Sequence, residues 1–283
     1  MTLHCAFIGF GKSTTRYHLP YVLHRKDRWQ VAHIYRRRAK PEEQAPQYSH
    51  IHFTSDLEEV LNDPLVKLVV VCTHADSHFE YAKKALEAGK NVLVEKPFTP
   101  TLEEAKTLFA LANSKGLTVT PYQNRRFDSC FLTTKKVIES GKLGELVEIE
   151  SHFDNYRPLA ETNPGGPQNG EFYGLGVHTL DQIISLFGRP DHVSYDLRSL
   201  RNKANPDDTF EAQLFYGDMK AIVKTSHLVQ IDYPKFIVHG HKGSFVKYGI
   251  DQQETSLKAN IMPGEPGFAA DDSVGVLLPK QSA

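Results

Sequence analysis

A glycine-spaced turn near the start of the chain has the residue types that bind a phosphate group. The segment Gly9–Thr14, GFGKST, follows the apolar run Cys5–Ile8 and precedes a helical pattern. In such a turn Gly9 would make the tight bend, and Gly11 would let the backbone approach a pyrophosphate at the helix N-terminus. Thr14 stands where G-x-G-x-x-G has its third glycine, so we expect looser packing of the helix on the strand. An ordinary strand-turn-helix without a ligand is the alternative.

Polar side chains at this turn add further candidate contacts. Ser13 and Thr14 carry hydroxyls at the start of the helix, and we expect one of them to donate to phosphate. The candidate phosphate contacts are Gly9, Gly11, Lys12, Ser13 and Thr14.

The end of the second predicted strand indicates which dinucleotide the turn would hold. An NAD site places a carboxylate there, to accept a hydrogen bond from the ribose 2′-hydroxyl. Here the strand Trp29–Tyr35 runs into Arg36-Arg37-Arg38, and a guanidinium fork suits a 2′-phosphate. We therefore predict NADP as cofactor, with Arg36 and Arg37 as ligands. NAD and a plain solvated basic loop are the alternatives.

Strands and helices that alternate along the first 122 residues would position this turn. Continuous apolar runs such as Leu68–Cys72 are typical of strands covered on both faces, and Ser77–Ala88 is a helical pattern closed by Gly89. This alternation predicts a Rossmann-type, doubly wound parallel α/β sheet with its ligand at the carboxyl ends of the strands. From about Gln123 to residue 283, short alternating strands predict a second α/β domain on a large, mostly antiparallel sheet.

Composition and charge exclude several classes of protein. The chain has 283 residues, 40% hydrophobic and 24% charged, which suits about two globular domains. A formal net charge of −1 argues against nucleic acid and anionic membranes as partners. The three cysteines are too few and too scattered for a disulfide framework, and no signal peptide or membrane span is indicated. We expect a cytoplasmic protein.

Five motifs, in order along the chain, carry a resemblance to a known family. The segment Ala88–Pro97, AGKNVLVEKP, looks like the A-G-K-x-V-x-x-E-K-P signature of the Gfo/Idh/MocA oxidoreductases, and this is the most specific of the five. Thr73–His78 resembles the family's T-x-x-x-x-H turn, and Gln123–Phe127 resembles Q-N-R-R-F. Gly141–Gly144 resembles G-x-[IL]-G, and Gly176–Asp181 resembles G-x-H-x-x-D. The similarity spans about residues 3 to 275.

The resemblance implies hydride transfer between NAD(P) and a sugar, polyol or related hydroxy or oxo compound. It also implies an open antiparallel sheet face through which many members associate, so we expect a homo-oligomer. By position, Thr73 and His78 would line the cofactor pocket, and Glu95 and Lys96 would approach the nicotinamide ribose.

The same resemblance implies two catalytic residues. Lys96 would hydrogen-bond the reacting oxygen, and His178 would exchange its proton. Histidine suits proton transfer near neutral pH, and an ammonium group stabilises a developing alkoxide. A solvated Lys96 at a strand end and a structural His178 are the alternatives. The prediction requires both groups to act at one nicotinamide.

Two departures from the family pattern concern activity and stability. Gly174 occupies a position where an acidic residue is common, and Tyr173, Glu171 or Asp181 are candidate substitutes. Family chains usually continue with a further strand and a long helix, whereas this sequence stops after Gly275–Leu278 and then Pro279–Ala283. Its last residues look unlike an edge strand or a docking helix. We expect lower stability, or a dimer that covers the apolar surface.

Other chemistries compete with the oxidoreductase interpretation. Cys72, His74 and His78 have a spacing that could suggest a metal site, but no second ligand cluster accompanies them and we predict no metal. A non-catalytic NADP-binding redox sensor or regulatory protein is the main alternative to an enzyme. The loop over residues 156–172 is expected to select the substrate, whose identity the sequence does not specify.

Overall fold

The computed structural model describes residues 2–160, 162 and 165–280, which fall into two compact units. The first contains the residues up to Tyr122 together with Gln253–Phe268, and the second contains Gln123–Gln252 together with the residues from Ala269 onward. We predicted an unbroken second domain over residues 123–283, whereas Gln253–Phe268 groups with the first unit. Residues 161, 163 and 164, in the predicted substrate loop, lie outside the described part of the chain.

The first unit is built on a parallel sheet of six strands in the order β3-β2-β1-β4-β5-β6. The strands β1 to β6 are Leu3–Ile8, Trp29–Tyr35, His52–Thr54, Val66–Val71, Asn91–Val94 and Val119–Pro121. Strand order reverses beside β1, which pairs with both β2 and β4. This arrangement confirms the predicted doubly wound sheet and places the ends of β1, β4 and β5 side by side.

Helices pack on both faces of this sheet. Helices α1 to α4 are Leu19–His24, Leu57–Asn62, His78–Glu87 and Leu102–Ser114. A π-helical segment, Thr14–His18, leads into α1. Asp56, the N-cap of α2, accepts a hydrogen bond from the Glu58 amide at 2.9 Å, and Thr101 begins α4 with a capping box. Separate apolar cores lie on the two faces of the sheet.

The second unit contains a sheet of seven strands in the order β13-β12-β11-β7-β10-β9-β8. Strands β7 to β13 are Leu146–His152, His192–Arg198, Thr209–Tyr216, Met219–Ser226, Phe236–Gly240, Gly243–Lys247 and Gly275–Pro279. All pairs are antiparallel except β7 with β10, so the predicted mostly antiparallel sheet is confirmed. Helices α5, Ser129–Glu139, and α6, Val177–Phe187, contribute to the apolar core of this unit.

The prediction for the end of the chain was wrong, because Gly275–Pro279 forms the edge strand β13. Leu277 pairs with Phe245 and packs against the core, while a side chain at Gly275 would lie only 2.6 Å from the Phe245 ring. Proline is tolerated in an edge strand, so Pro279 does not prevent the pairing. The fit depends on Phe245, thirty residues earlier, and local sequence does not encode it.

The segment Gln253–Phe268 contains a short helix, α7, Gln253–Lys258, that sequence analysis did not predict. The Tyr17 hydroxyl donates to Glu254 at 2.9 Å, and the Tyr21 hydroxyl donates to Gln253 at 3.0 Å. These tyrosines belong to the helical stretch after the glycine turn, so the segment braces that stretch. Among the described residues no helix has the length and apolar character needed to cross a membrane.

Candidate functional site

The glycine turn has a tightly packed side and an open side. Gly9 has a φ of +110°, and a Cβ there would lie 2.6 Å from the Cys72 carbonyl oxygen. Its amide donates to Tyr35 at 2.8 Å, which joins the ends of β1 and β2. A Cβ at Gly11, in contrast, would have no heavy atom within 4 Å. Gly9 therefore sets the backbone, while Gly11 leaves room for a phosphate to approach it.

The two hydroxyls of the turn point away from the expected phosphate contact. Thr14 is fully buried and donates to the Gly9 carbonyl at 2.7 Å, and Ser13 donates to the Glu95 carboxylate. Thr14 therefore closes the turn in place of the third glycine. Lys12 is exposed beside it. The hydroxyl contacts that we predicted for Ser13 and Thr14 are instead made within the fold, because burial requires each hydroxyl to have a partner.

The arginines after β2 have different surroundings. Arg36 makes two hydrogen bonds to Glu43, at 2.7 and 3.0 Å, and its side chain is 15% exposed. Arg37 is exposed, and Lys40 donates to the Phe10 carbonyl of the glycine turn at 2.6 Å. Arg36 is thus committed to a buried ion pair that Glu43, seven residues later, provides. Of the two predicted phosphate ligands, Arg37 is the one directed to the surface.

Glu95 follows β5 and joins the glycine turn to Lys96. Its carboxylate, in a residue that is 7% exposed, accepts hydrogen bonds from Ser13, from His18 Nε2 at 2.9 Å and from the Lys96 amide at 3.1 Å. Burial opposes ionisation, but these hydrogen bonds hold the pKa of the Glu95 carboxyl below its usual value. Glu95 therefore acts as a buried anchor for the half-buried Lys96.

His78 also serves the backbone around Lys96. Its residue is 1% exposed, Nδ1 lies 2.8 Å from the Pro97 carbonyl oxygen, and Nε2 lies 3.1 Å from the Thr73 carbonyl oxygen. The imidazole thereby ties the loop after β4 to the loop after β5. Thr73 is partly exposed and accepts a hydrogen bond from Ser77 at 2.8 Å. His78, predicted to line the cofactor pocket, is buried behind these loops, whereas Thr73 reaches the surface.

His178 lies in the first turn of α6 in the second unit and is 4% exposed. A π-helical segment, Phe172–Gly176, precedes it. A Cβ at Gly176 would lie 3.1 Å from Phe210 and 3.2 Å from Phe172, which explains the glycine before this helix. Lys96 and His178 belong to different units, and the expectation that both act at one nicotinamide stays a prediction.

Glu171 is the best placed of the three acidic or phenolic substitutes considered for position 174. Its Oε2 lies 3.3 Å from where a Cβ of Gly174 would be, and its Oε1 lies 3.1 Å from Nε2 of the buried His227. Asp181 is instead held by Arg126 through two hydrogen bonds, at 2.6 and 2.7 Å. The carboxylate of Glu171 therefore occupies the space that a side chain at position 174 would enter.

Sequence analysis missed a group of polar side chains in the second unit. Among the described residues, the buried polar atoms without a hydrogen-bond partner include Gln123 Oε1, Asn155 Oδ1, Thr225 Oγ1 and His227 Nδ1. Asn155 follows β7, and His227 follows β10, at strand ends joined by the bond from the Asn155 amide to the Ser226 carbonyl at 3.0 Å. Buried polar atoms of this kind are candidates to bind a polar ligand. The sequence did offer a signal for this group, because these polar residues follow strands in which apolar residues alternate.

The second unit also buries two charged residues near these strands. Burial raises the pKa of the Asp128 carboxyl to about 6 and lowers the pKa of the Lys235 ammonium to about 8. Asp128 lies 3.2 Å from Arg125, and Lys235 donates to Ser151 at 3.2 Å. Because Lys235 also lies over the Phe153 ring at 5.0 Å, its charge has aromatic as well as polar contacts.

The cysteine and histidine pattern that could suggest a metal site is used differently. Cys72 is buried, which raises the pKa of its thiol, and both nitrogens of His78 contact backbone carbonyls. Across residues 2–160, 162 and 165–280, no group of three or more His, Cys, Asp or Glu side chains could hold a metal ion.

Known proteins match both halves of the chain. Residues 3–123 match the model of an oxidoreductase family with an NAD-binding Rossmann fold, and residues 135–280 match the model of that family's C-terminal α/β domain. The chain is 88% identical over 277 residues to the uncharacterized oxidoreductase YhhX of Escherichia coli strain K12, covering 98% of this chain and 80% of that one.

Two further relatives extend the comparison. The scyllo-inositol 2-dehydrogenase (NADP(+)) IolW of Bacillus subtilis strain 168 is 36% identical over 273 residues, or 95% of this chain and 75% of that one. A crystal structure of an oxidoreductase from Bacillus cereus is 47% identical, with a TM-score of 0.92 over 99% of this chain and 85% of that chain. Both halves of the chain therefore identify it as a member of the Gfo/Idh/MocA oxidoreductase family.

Proposed function

We propose that this chain is an NADP(H)-dependent oxidoreductase that interconverts a secondary alcohol and a carbonyl on a sugar, polyol or related compound. The observation that carries the proposal is the anchored position of Lys96. Glu95 holds the Lys96 amide and also accepts a hydrogen bond from Ser13 in the glycine turn, so one carboxylate joins the phosphate-binding turn to the candidate catalytic lysine. The relative IolW, a scyllo-inositol 2-dehydrogenase (NADP(+)), supports both the alcohol substrate and NADP.

The surroundings of the glycine turn fit a dinucleotide that carries a 2′-phosphate. The open space above Gly11 suits a pyrophosphate. Arg37 would bind the 2′-phosphate as the exposed guanidinium after β2, and Lys40 would add positive charge where it meets the turn. Glu43 does not favour NAD, because Arg36 and the Lys40 amide already occupy its carboxylate.

The chemistry of the reaction assigns the remaining roles. Bound NADP⁺ would supply the hydride acceptor for the carbinol carbon, with NADPH as the reduced product. The Lys96 ammonium would donate a hydrogen bond to the substrate oxygen and stabilise the charge that develops there. His178 would take the hydroxyl proton as the carbonyl forms, and would return it in the reductive direction. Glu171, beside position 174 on the same helical stretch, would support the protonated imidazole.

The proposal is tested by cofactor titration with a matched pair of arginine variants. NADPH and NADH fluorescence titrations should show tighter binding of NADPH. Arg37→Ala should weaken NADPH binding about tenfold and leave NADH binding unchanged, a loss typical of one charged hydrogen bond. Arg36→Ala is the control, since it should lower stability through the unpaired Glu43 and change the NADPH-to-NADH ratio less.

Turnover separates the enzyme from the regulatory alternative. Polyols and sugars, assayed with NADP⁺, should include at least one substrate, with inositols as the first panel. Equal affinity for NADH and NADPH, or an unchanged ratio in Arg37→Ala, would contradict the cofactor assignment. Tight NADPH binding without turnover on any compound of a broad panel would favour a redox sensor instead.

A further inference from the structure

We propose that His18 is a positioning residue that fixes Lys96 through the Glu95 carboxylate. The inference rests on the proposed function, because it concerns how Lys96 is held for its role. His18 belongs to the π-helical segment after the glycine turn and is 5% exposed. Its Nε2 lies 2.9 Å from Glu95 Oε1, while Glu95 Oε2 accepts the Lys96 amide at 3.1 Å. One carboxylate thus joins the two residues.

Aromatic contacts define the plane of the His18 imidazole. The Tyr122 ring lies 4.1 Å away between centroids, and the Phe7 ring contacts the imidazole edge-on at 5.9 Å. Tyr122 is itself fixed, since its hydroxyl donates to the Tyr17 carbonyl at 2.8 Å. The imidazole is therefore presented to Glu95 in one orientation, and its Nε2 is the atom aimed at the carboxylate.

Packing alone does not hold this imidazole. His18, Phe7 and Tyr122 all border a cavity of about 270 Å³ in the first unit, which also adjoins Val70 and Leu93. A ring beside such a space would not be restricted from every side by its neighbours. The hydrogen bond to Glu95 therefore restrains the ring on the side where the cavity leaves it without packing neighbours.

The π-helical geometry explains how a residue of this helical stretch reaches Glu95. A π turn inserts one extra residue into a helix and changes which side chains after it face a neighbouring element, and such turns are frequent at functional sites. The segment Thr14–His18 has this geometry, and Ser13 at its start donates to the same Glu95 carboxylate as His18 at its end. One turn thus delivers two donors to one oxygen atom.

His18 also affects the ionisation of the Glu95 carboxyl. Of the groups that lower the pKa of Glu95 against the effect of burial, His18 makes the largest contribution, followed by Ser13 and the Lys96 amide. Without His18, only Ser13 and the Lys96 amide would oppose the effect of burial, so the pKa of the Glu95 carboxyl would be higher and more of it would be protonated. Lys96 would then lose a negative neighbour, and the bond from its amide to Glu95 would weaken, because a neutral acid is a poorer acceptor.

The Lys96 peptide is held from its other side as well. His78 Nδ1 contacts the Pro97 carbonyl oxygen at 2.8 Å, so Glu95 and Pro97, the two neighbours of Lys96, are each restrained by a buried histidine. The backbone on both sides of Lys96 is thus restrained within the unit. Small shifts of a catalytic group cost up to about 100-fold in rate, so the restraint is consequential.

The test compares three variants by NMR and by turnover. His18→Leu removes the donor, whereas His18→Gln keeps an N–H near the position of Nε2. His33→Leu is the matched control, since it makes the same replacement at a histidine whose Nε2 lies 2.8 Å from another carboxylate of this unit, that of Asp63. His18→Leu should move the Lys96 amide proton upfield, speed its hydrogen exchange and reduce kcat about 10- to 100-fold. His18→Gln should restore most of the amide shift, the slow exchange and kcat, and His33→Leu should leave all three near wild type.

The outcomes separate this inference from the proposed function. An unchanged Lys96 amide in a folded His18→Leu protein would overturn the positioning role, whatever the turnover. If His18→Leu does not fold, Ser13→Ala provides the second test, since it removes the other donor to Glu95 Oε1 and should shift the same amide in the same direction. Full activity in Lys96→Ala would refute the proposed function, while the amide shift would still report on the contact between His18 and Glu95.

Discussion

Glu95 in the first unit and Asp128 in the second are both buried acids, but their environments have opposite effects. Glu95 is 7% exposed and Asp128 is 5% exposed. Burial raises the pKa of the Asp128 carboxyl to about 6, whereas hydrogen bonds hold the pKa of Glu95 below its usual value although burial opposes them. The difference lies in the donors: Glu95 has three, while Asp128 faces Arg125 at 3.2 Å and is repelled by Asp251.

The same contrast extends to the two candidate sites. Around Lys96 the buried side chains Glu95, His18 and His78 have partners within the unit. In the second unit, buried polar atoms of Asn155, Thr225 and His227 have none among the described residues. A site for a constant cofactor can be organised in advance, whereas a site for a polar substrate keeps donors and acceptors available. We infer this division of labour between the units.

The largest expected effects come from removing one candidate catalytic group in each unit. Lys96→Ala and His178→Asn should each reduce kcat at least about 100-fold, the usual range for loss of a group that moves or stabilises a proton. NADPH binding should remain measurable by fluorescence in both variants. The double variant should lose less than the product of the two single losses, because the groups would act in one step. Fully multiplicative losses would mean that they act independently, and an active His178→Asn protein would remove histidine from the mechanism.

Local sequence was sufficient to predict the fold and the position of the glycine turn. Strand Trp29–Tyr35 has the predicted bounds, and the helix predicted over Ser77–Ala88 is observed over His78–Glu87, because apolar period and turn residues agree at those places. The role of Gly9 could also be derived, since a turn at this point requires a residue that adopts positive φ.

Partners distant in the sequence account for what could not be predicted. Arg36 was predicted to bind phosphate, but its guanidinium is bound by Glu43. Ser13 was also predicted to bind phosphate, but its hydroxyl donates to Glu95, 82 residues away. The role of His18 depends on a π turn that no local pattern indicates. Edge strand β13 likewise depends on Phe245. In each case the sequence gives the type of side chain, but its role depends on a tertiary contact.

A pair of glycine variants sharpens the contrast between a packed and an open position within the first unit. Gly9→Ala would place its Cβ 2.6 Å from the Cys72 carbonyl oxygen at a φ of +110°, so we expect a loss of about 3 kcal/mol in unfolding free energy. Gly11→Ala has space and should change stability by less than about 1 kcal/mol. Urea denaturation measures both.

The same pair reports on the cofactor. Gly11→Ala should weaken NADPH binding at least about tenfold, because its methyl group would occupy the space that the pyrophosphate requires. Loss of stability without loss of binding in this variant would place the cofactor elsewhere on the unit.

The pH dependence of stability tests the two opposed carboxylates directly. With a pKa of about 6 in the folded protein and an ordinary value near 3.8 when unfolded, Asp128 keeps its proton in the folded state over this interval. Stability therefore falls as the pH rises from about 4 to 6, by up to about 3 kcal/mol from linkage. Asp128→Asn should lack this fall. Its unfolding free energy relative to wild type should increase from pH 4 to 7, as measured by urea denaturation at each pH.

Glu95→Gln should show the opposite sign. Since the folded pKa of Glu95 lies below the unfolded one, the wild-type carboxylate contributes stability above its unfolded pKa and loses it as the pH falls through the folded pKa. Glu95→Gln should therefore become less stable relative to wild type as the pH rises from about 3 to 6. The exposed Asp218→Asn is the control for any general effect of removing one acid. Slopes of the same sign in the two buried variants would show that burial, and not the number of donors, governs both carboxylates.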